Sequence, residues 1–225
     1  MSAGEQLLLA LGHQDAFGIH DFMPAASNRE ALAWLERWPA WPAPALVLHG
    51  PPGCGKSHLA WIWAARAGAC RLEPAGLPAG EPAPRAGVLD PAEPIADELA
   101  LLQLYNRLAE QGGHLLLTAR RPVAAWTIGL PDLASRLRAA PAAAIGPPDD
   151  DLLAAVLLKL FDDRQLEVSV GVIDYLVRHM ERSFASARAV VEALDAHSLR
   201  QQRPVTVALA RHVLEADADQ TEGGR

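Results

Sequence analysis

The fold of this chain is decided by the stretch Gly50-Pro51-Pro52-Gly53-Cys54-Gly55-Lys56-Ser57. It fits the phosphate-binding loop pattern, a glycine, four free positions and then Gly-Lys-Ser. The apolar run Ala45 to His49 before it predicts a buried strand, and the run His58 to Ala65 after it predicts a helix. Because the motif is informative only between a strand and a helix, these flanking runs favour a chain that binds a nucleotide.

Each residue type in the loop suits a phosphate. Gly53 and Gly55 allow backbone angles barred to other residues, so that successive N–H groups and the helix N-terminus face the negative charge. Lys56 can reach the outer phosphates, and the Ser57 hydroxyl can ligate a magnesium ion. The alternative interpretation is a Gly-Pro turn before an ordinary helix. We predict that ADP or ATP with Mg²⁺ is held by Gly50, Pro51, Pro52, Gly53, Cys54, Gly55, Lys56, Ser57 and His58.

Composition limits the other function classes. The chain has 225 residues, half of them apolar, which is enough for one nucleotide-binding domain and a small second one. Its net charge is −7, and the sequence shows no basic stripe of the kind found in proteins dedicated to reading DNA. Two cysteines, Cys54 and Cys70, are too few for a disulfide framework or a zinc site, and the histidines lack ligand spacing. No apolar run reaches the roughly 18 residues that a membrane span needs, so we expect a cytoplasmic protein.

The predicted elements divide the chain at about Pro148. Strands alternate with helices before it, which predicts an α/β domain over residues 15–148 with a largely parallel sheet covered on both faces. Helices alone follow, and we predict a small all-α lid over residues 149–216. Asp149 to Asp151 begin its first helix and are better explained as a cap than as a metal site. The polar residues 217–225 predict a flexible tail.

Asp90 is the candidate for a second magnesium contact. It follows the short apolar run Gly87 to Leu89, and an aspartate at the end of a strand supplies this contact in P-loop proteins. A plain loop aspartate before Pro91 is about as good an explanation. Hydrolytic relatives commonly place an acidic residue next, where this chain has Pro91, and Glu93 lies two residues further. We therefore expect slow intrinsic hydrolysis, or retention of ADP.

Arg136 is the candidate catalytic residue. It lies near the end of a predicted short helix, from which a guanidinium can project to the γ-phosphate of a neighbouring molecule, as arginine fingers do. Spacing alone favours a plainer interpretation, a surface arginine paired with Asp132 one helical turn away.

Several stretches together resemble a known family. Leu104-Tyr105-Asn106-Arg107 and the run Gly129 to Leu137 are the specific ones, and Phe17 to Asn28, the P-loop and Leu115 to Pro122 accompany them. They are similar to the AAA+ core of the bacterial DnaA family, and more closely to its shortened Hda members. The resemblance runs from Gln6 to about Leu214 and implies an AAA+ P-loop NTPase fold with a helical lid.

The resemblance also implies a function. Hda-type proteins, loaded on the sliding clamp (β subunit) of DNA polymerase III, stimulate hydrolysis of ATP bound to DnaA and so prevent re-initiation. Arg136 then matches the arginine finger, acting in trans. The family also expects a lid arginine at the phosphates; an ungapped match places Ala185 there, with Arg182 and Arg188 about one turn to either side, and we choose Arg188. Residues 1–14 become a clamp-binding tail, in which the contacts are made by Gln6, Leu7, Leu9 and Leu11. The DNA-binding domain of DnaA has no counterpart, so we expect no sequence-specific DNA binding, and homodimer formation stays open.

Some positions depart from the family or have plainer roles. Arg120 stands near the strand-end position where the family usually has Asp, which with Pro91 weakens any claim to intrinsic ATPase activity. Phe17, Phe22 and Asn28 fall in the segment that surrounds the base in relatives, and core packing explains the two Phe equally well. Two rival functions therefore remain: a self-sufficient ATPase such as a helicase loader, and an adaptor in which nucleotide is only a structural ligand.

Overall fold

The computed structural model describes residues 24–77, 84–201 and 203–222, and for residues 201 and 217–222 it describes the backbone alone. The predicted clamp-binding residues Gln6, Leu7, Leu9 and Leu11 lie outside the described residues, as do Phe17 and Phe22. No helix in the described part of the chain is long and apolar enough to cross a membrane.

The described chain forms five strands and eight α-helices, with a short 3₁₀ turn at Val123–Ala125. The strands are β1 (Ala45–His49), β2 (Cys70–Leu72), β3 (Ala86–Leu89), β4 (His114–Ala119) and β5 (Ala142–Ala144). The helices are α1 (Arg29–Glu36), α2 (Lys56–Ala67), α3 (Glu98–Gln111), α4 (Pro131–Ala139), α5 (Asp150–Asp162), α6 (Val170–His179), α7 (Phe184–Gln201) and α8 (Val207–Glu222).

The five strands make one parallel sheet in the order β2-β3-β4-β1-β5. Alternate residues of a strand face opposite sides. Val47, Leu115 and Leu117 thus join one apolar core with α3 and α4, while Leu48 and Leu116 join the other with α1 and α2. Burial on both faces explains why the strands read as continuous apolar runs. The predicted α/β fold class is confirmed.

Parallel pairing brings the carboxyl ends of the strands to one edge of the sheet. β1 pairs with β4 from Ala45↔Leu115 to His49↔Ala119, and β3 pairs with β4 up to Leu89↔Leu117. The P-loop leaves the sheet at this edge, and Asp90 leaves it one strand beyond β4. Ligands of open α/β sheets bind outside such an edge, so the fold places the candidate site residues at this edge.

Helices α5 to α8 pack around a core of their own, which forms the predicted lid. The Asp149 side chain caps α5 by accepting a hydrogen bond from the Leu152 N–H at 2.9 Å, as predicted for the acidic run. Asp150 pairs with Arg182 just before α7. At the other end the structure differs from the expected boundary, because α8 continues through residue 216 and ends at Glu222.

The tryptophans of the first domain are mostly packing residues. Trp63 is buried, stacks on Trp41 at 5.2 Å between ring centroids and meets Trp38 edge-on at 6.1 Å. His114 at the start of β4 lies against both Trp38 and Trp41, and its burial lowers its pKa. Only Trp61 on α2 stays 37% exposed, because it lies on a different side of the helix from Trp63.

Candidate functional site

The P-loop is shaped by close contacts that leave no room for side chains. Gly53 has a φ of +71°, and a Cβ placed there would lie 2.6 Å from the Ser183 Cβ. A Cβ on Gly50 would lie 2.1 Å from the Ile145 carbonyl oxygen, beyond β5. Both glycines are therefore required by their neighbours. The loop then enters α2 at Gly55, which holds the N-cap position with a φ of +96°.

The start of α7 lies directly on the P-loop. The Phe184 N–H donates to the Gly53 carbonyl at 2.9 Å. Ser183 is buried beside it, and its hydroxyl caps α7 by accepting from the Ser186 N–H at 3.0 Å. We call this contact between Gly53 and Ser183–Phe184 the loop–lid seam. It joins two segments about 130 residues apart, so the nucleotide loop and the lid meet at one point.

A cavity of about 360 Å³ opens beside the seam. It contains Lys56, Ser57 and His58 from the predicted loop, together with the predicted lid residue Arg188. Its complete lining is Gly53, Gly55, Lys56, Ser57, His58, Trp61, Phe184, Ala185 and Arg188. The loop residues Gly50, Pro51, Pro52 and Cys54 shape the loop without facing this cavity.

The two candidate lid arginines, Arg182 and Arg188, differ in whether they line the cavity. Arg188 lies in the cavity wall, one turn into α7 from Phe184. Arg182 stands outside that lining and pairs with Asp150 on an exposed part of the lid. The cavity therefore combines one lid guanidinium with the N-terminus of α2, a set of donors suited to a phosphate.

The Lys56 ammonium lies against the loop itself. It donates to the carbonyl oxygens of Gly50 at 2.9 Å and Pro51 at 2.7 Å, and it lies 3.6 Å from the Cys54 Sγ. An ammonium has three donors. Two of them hold the curvature of the loop, so the charge is kept at the place where α2 begins. The third contact, to the Cys54 Sγ, is also made within the loop.

His49 lies at the end of β1, next to the P-loop. Burial lowers its pKa most, Glu30 acts to raise it, and the Lys56 charge acts to lower it. The lowered pKa favours the neutral form of the imidazole.

Asp90 lies where the sequence predicted, directly after β3. Its Oδ1 accepts a hydrogen bond from the hydroxyl of the buried Thr118 near the end of β4. Asp90 stands outside the cavity lining, so the structure does not bring it together with Ser57 in one pocket. In the described part of the chain no three His, Cys, Asp or Glu side chains group as metal ligands. A magnesium ion would thus depend on Ser57, Asp90, phosphate oxygens and water, which suits its preference for few protein ligands.

The acidic residue beyond Pro91 is engaged elsewhere. Arg121 donates to the Glu93 Oε1 through Nε at 2.9 Å and also through Nη2, and the Glu93 side chain is only 12% exposed. The Glu93 carboxylate is thus occupied by Arg121. Arg120, at the position where the family usually has Asp, is exposed at the end of β4.

Arg136 occupies the outer face of α4, outside the lining of the cavity. Its Nε donates to the Asp132 Oδ1 at 3.1 Å, the local pairing that spacing predicted, and its side chain stays 38% exposed. The guanidinium also lies 5.7 Å from the centre of the Tyr105 ring on α3. Burial raises the pKa of Tyr105, although Arg136 acts against this. Arg136 is thus presented to the surface and not to the nucleotide cavity of its own chain.

Three residues of the cavity lining, Trp61, Phe184 and Ala185, were not predicted as site residues. Trp61 follows Ser57 by four positions and therefore shares its helix face, a signal that was available in the sequence. Phe184 carried no such signal, because its place depends on the loop–lid seam. Arg71 from β2 lies over the Trp61 ring at 5.2 Å and fixes its exposed side.

A parallel sheet with a P-loop after β1, closed by a helical lid that carries an arginine into the same cavity, defines an AAA+ domain. Residues 149–214 match the Hda lid domain family. Domain III of the replication initiation protein DnaA from Thermotoga maritima is similar over 89% of this chain and 96% of its own, with a TM-score of 0.74 and 14% identity. The lid region is thus similar to that of Hda, and the chain has the AAA+ fold that DnaA domain III shows.

Other solved structures share the fold at similar distance. AMPPCP-bound DnaA from Aquifex aeolicus matches 82% of this chain and 66% of its own, with a TM-score of 0.67 and 14% identity. The RuvB Holliday junction branch migration motor of Thermotoga maritima matches 88% of this chain and 71% of its own, with a TM-score of 0.66 and 13% identity. At such identities the structural similarity shows only the fold. The similarity to Hda rests on the family match over residues 149–214.

Proposed function

We propose that this protein regulates the replication initiator DnaA: it holds ADP or ATP with Mg²⁺, docks on the DNA polymerase sliding clamp, and stimulates hydrolysis of DnaA-bound ATP through Arg136. The observation that carries the proposal is the separation of two charges. Arg188 lines the nucleotide cavity of this chain, whereas Arg136 lies outside that lining, on α4, with its side chain 38% exposed. An arginine that cannot serve its own nucleotide is available to a partner's.

Nucleotide binding is supported by the cavity. Its volume of about 360 Å³ lies in the usual range for a small ligand, and it combines the α2 N-terminus with Lys56 and Arg188. The similar DnaA of Aquifex aeolicus was solved with AMPPCP, a triphosphate analogue, which agrees with a nucleotide in this fold. In this proposal Ser57 and Asp90 ligate the magnesium ion, with Asp90 acting directly or through water.

Weak intrinsic hydrolysis is supported by the residues after β3. Pro91 takes the position next to Asp90, and the Glu93 carboxylate is occupied by Arg121. The nucleotide then serves chiefly to hold the loop–lid seam in one arrangement. A self-sufficient ATPase would need another base, and the cavity lining offers no carboxylate for that role.

Clamp docking rests on the sequence alone. Gln6 supplies the polar head, and Leu7, Leu9 and Leu11 supply the apolar side chains of the peptide-in-groove mode. Replacing Gln6 and Leu7 with Ala should abolish binding to the clamp in a pull-down, and retained binding would refute this assignment.

One observation favours a rival. Arg136 is paired with Asp132 and lies against Tyr105, as a purely structural arginine would be. On that view the protein is an adaptor that tethers DnaA to the clamp without contributing to chemistry.

The deciding experiment measures ATP hydrolysis by DnaA in the presence of clamp loaded on DNA. Arg136→Ala should reduce the stimulation by about 10³-fold or more, the range known for arginine fingers. Arg138→Ala is the matched control, because it removes an exposed arginine from the same helix. Equal stimulation by wild type and Arg136→Ala would exclude the finger and favour the adaptor.

A further inference from the structure

The first residue of α3 caps a different helix. The Glu98 carboxylate accepts two backbone hydrogen bonds, from the Gly129 N–H at 2.8 Å and from the Leu130 N–H at 2.7 Å. Leu130 is the N-cap residue of α4, the helix that carries Arg136. The neighbouring Asp97 caps α3 itself by accepting from the Ala100 N–H at 2.9 Å. Two adjacent carboxylates at one helix start thus serve two different helices.

Helix α4 needs an acceptor from outside. An N-cap side chain normally accepts from the first turn, and the leucine side chain at position 130 cannot do so. Pro131 at the first helical position has no N–H to contribute. The negative charge of Glu98 is also favourable at a helix N-terminus. Glu98 does not bind the N–H groups of the first turn. It anchors Gly129 and Leu130, the two residues that lead into α4, and places a negative charge there.

The same helix α3 holds the other end of α4. Tyr105 lies two helical turns after Glu98, and its ring lies under the Arg136 guanidinium. Between these two points Leu133 and Leu137 of α4 are buried in one apolar core with Leu101 and Leu104 of α3. Burial of Leu133 and Leu137 sets which face of α4 is turned inward, but apolar packing is non-directional and places no particular atom of the helix start. Two hydrogen bonds to one carboxylate fix the position of that start.

We infer that Glu98 is a positioning residue for Arg136: by fixing the N-terminus of α4, it sets the direction in which the guanidinium leaves the surface. This inference rests on the proposed function, in which Arg136 acts on nucleotide bound to a partner. Glu98 itself touches neither nucleotide. Its effect passes through Leu130 along the two turns of α4 to Arg136.

The test compares Glu98→Gln and Glu98→Ala with wild type in the full chain with ADP bound. Gln keeps the shape but offers one acceptor to two donors, so one N–H faces an NH₂ group. Ala offers none. Glu110→Gln is the matched control, since it neutralises an exposed carboxylate on the same helix. Two quantities are measured: amide hydrogen exchange at Gly129 and Leu130 by NMR, and DnaA ATP hydrolysis with clamp on DNA.

We expect exchange at Gly129 and Leu130 to rise about tenfold in Glu98→Gln and more in Glu98→Ala, as suits loss of hydrogen bonds to a charged group. The maximal rate of stimulated hydrolysis should fall about tenfold, while the concentration that gives half of it stays unchanged. Combining Glu98→Gln with Arg136→Ala should lower the rate no further than Arg136→Ala alone.

The outcomes separate the two proposals. Raised exchange with an unchanged maximal rate would show a merely structural cap and overturn the positioning role. Unchanged exchange in Glu98→Ala would overturn the contact itself. If Arg136→Ala leaves stimulation intact, the proposed function fails and the positioning role falls with it, although raised exchange would still establish Glu98 as the cap of α4.

Discussion

The loop–lid seam and the surface of α4 hold their functional groups in opposite ways. At the seam, backbone meets backbone: the Phe184 N–H bonds to the Gly53 carbonyl, and Ser183 closes the space above Gly53. On α4, Arg136 is held by side chains, through an exposed ion pair and an aromatic ring. Backbone contacts permit few substitutions and little movement, whereas exposed side-chain contacts are weak and exchange readily. The rigid backbone contacts suit a site that holds a bound ligand. The exposed side-chain contacts suit a group that must leave them to contact a partner.

The largest effect is expected where the seam is closed sterically. Gly53→Ala would place a Cβ 2.6 Å from the Ser183 Cβ at a φ of +71°, so either the loop or α7 must shift. We expect nucleotide affinity to fall more than about 100-fold, or roughly 3 kcal/mol, measured by titration calorimetry. Gly68→Ala is the control, because φ there is +60° with no atom within 4 Å of the added Cβ. It should cost about 1 kcal/mol of stability and leave affinity unchanged. Equal losses in both variants would show that strain alone, and not the seam, matters at Gly53.

A smaller effect is expected from the charge that the seam carries. Arg188→Ala removes the lid guanidinium from the cavity, and we expect nucleotide affinity to fall about 10- to 100-fold, in line with about 1.5 to 3 kcal/mol for a hydrogen bond to a charged group. Arg182→Ala removes a lid arginine of equal charge that pairs with Asp150 outside the lining. Its affinity should match that of wild type. A larger loss in Arg182→Ala than in Arg188→Ala would reverse the assignment of the two arginines.

The smallest effect is expected on α4. Asp132→Asn weakens the exposed ion pair with Arg136, and such pairs contribute about 0.2 to 1 kcal/mol. The midpoint of urea unfolding should therefore change little. Stimulation of DnaA should be kept or slightly raised, because the guanidinium becomes easier to transfer to a phosphate. A loss of stimulation as large as that in Arg136→Ala would mean that Asp132 holds Arg136 in its working position, and the contrast drawn above would be wrong.

Local patterns foretold most of the framework. The apolar runs before and after the P-loop located β1 and α2, the run Gly87 to Leu89 located β3, and Asp149 capped α5. The Arg136–Asp132 pair was also foreseeable, since both residues lie on one helix. These features depend on neighbours within a few residues, and sequence patterns report such neighbours directly.

What escaped prediction depends on segments that are far apart in the chain. The seam joins Gly53 to Ser183, and the cap of α4 joins Leu130 to Glu98. Neither pair has a local signature, because any buried glycine or any first-turn glutamate looks the same in sequence. The choice between Arg182 and Arg188 was uncertain for the same reason: the two lie about two turns apart, and only the docking of α7 on the P-loop decides which one reaches the cavity.

The attachment of α7 to the P-loop makes that helix a lever. α7 is 18 residues long, or about 27 Å at 1.5 Å per residue, and its pivot is the hydrogen bond between Phe184 and Gly53. A tilt of about 10° at the pivot would displace the far end by roughly 5 Å. The remaining lid helices share the core of α7 and would move with it. A small displacement of the P-loop backbone at Gly53 would thus become a large one on the outer surface of the lid.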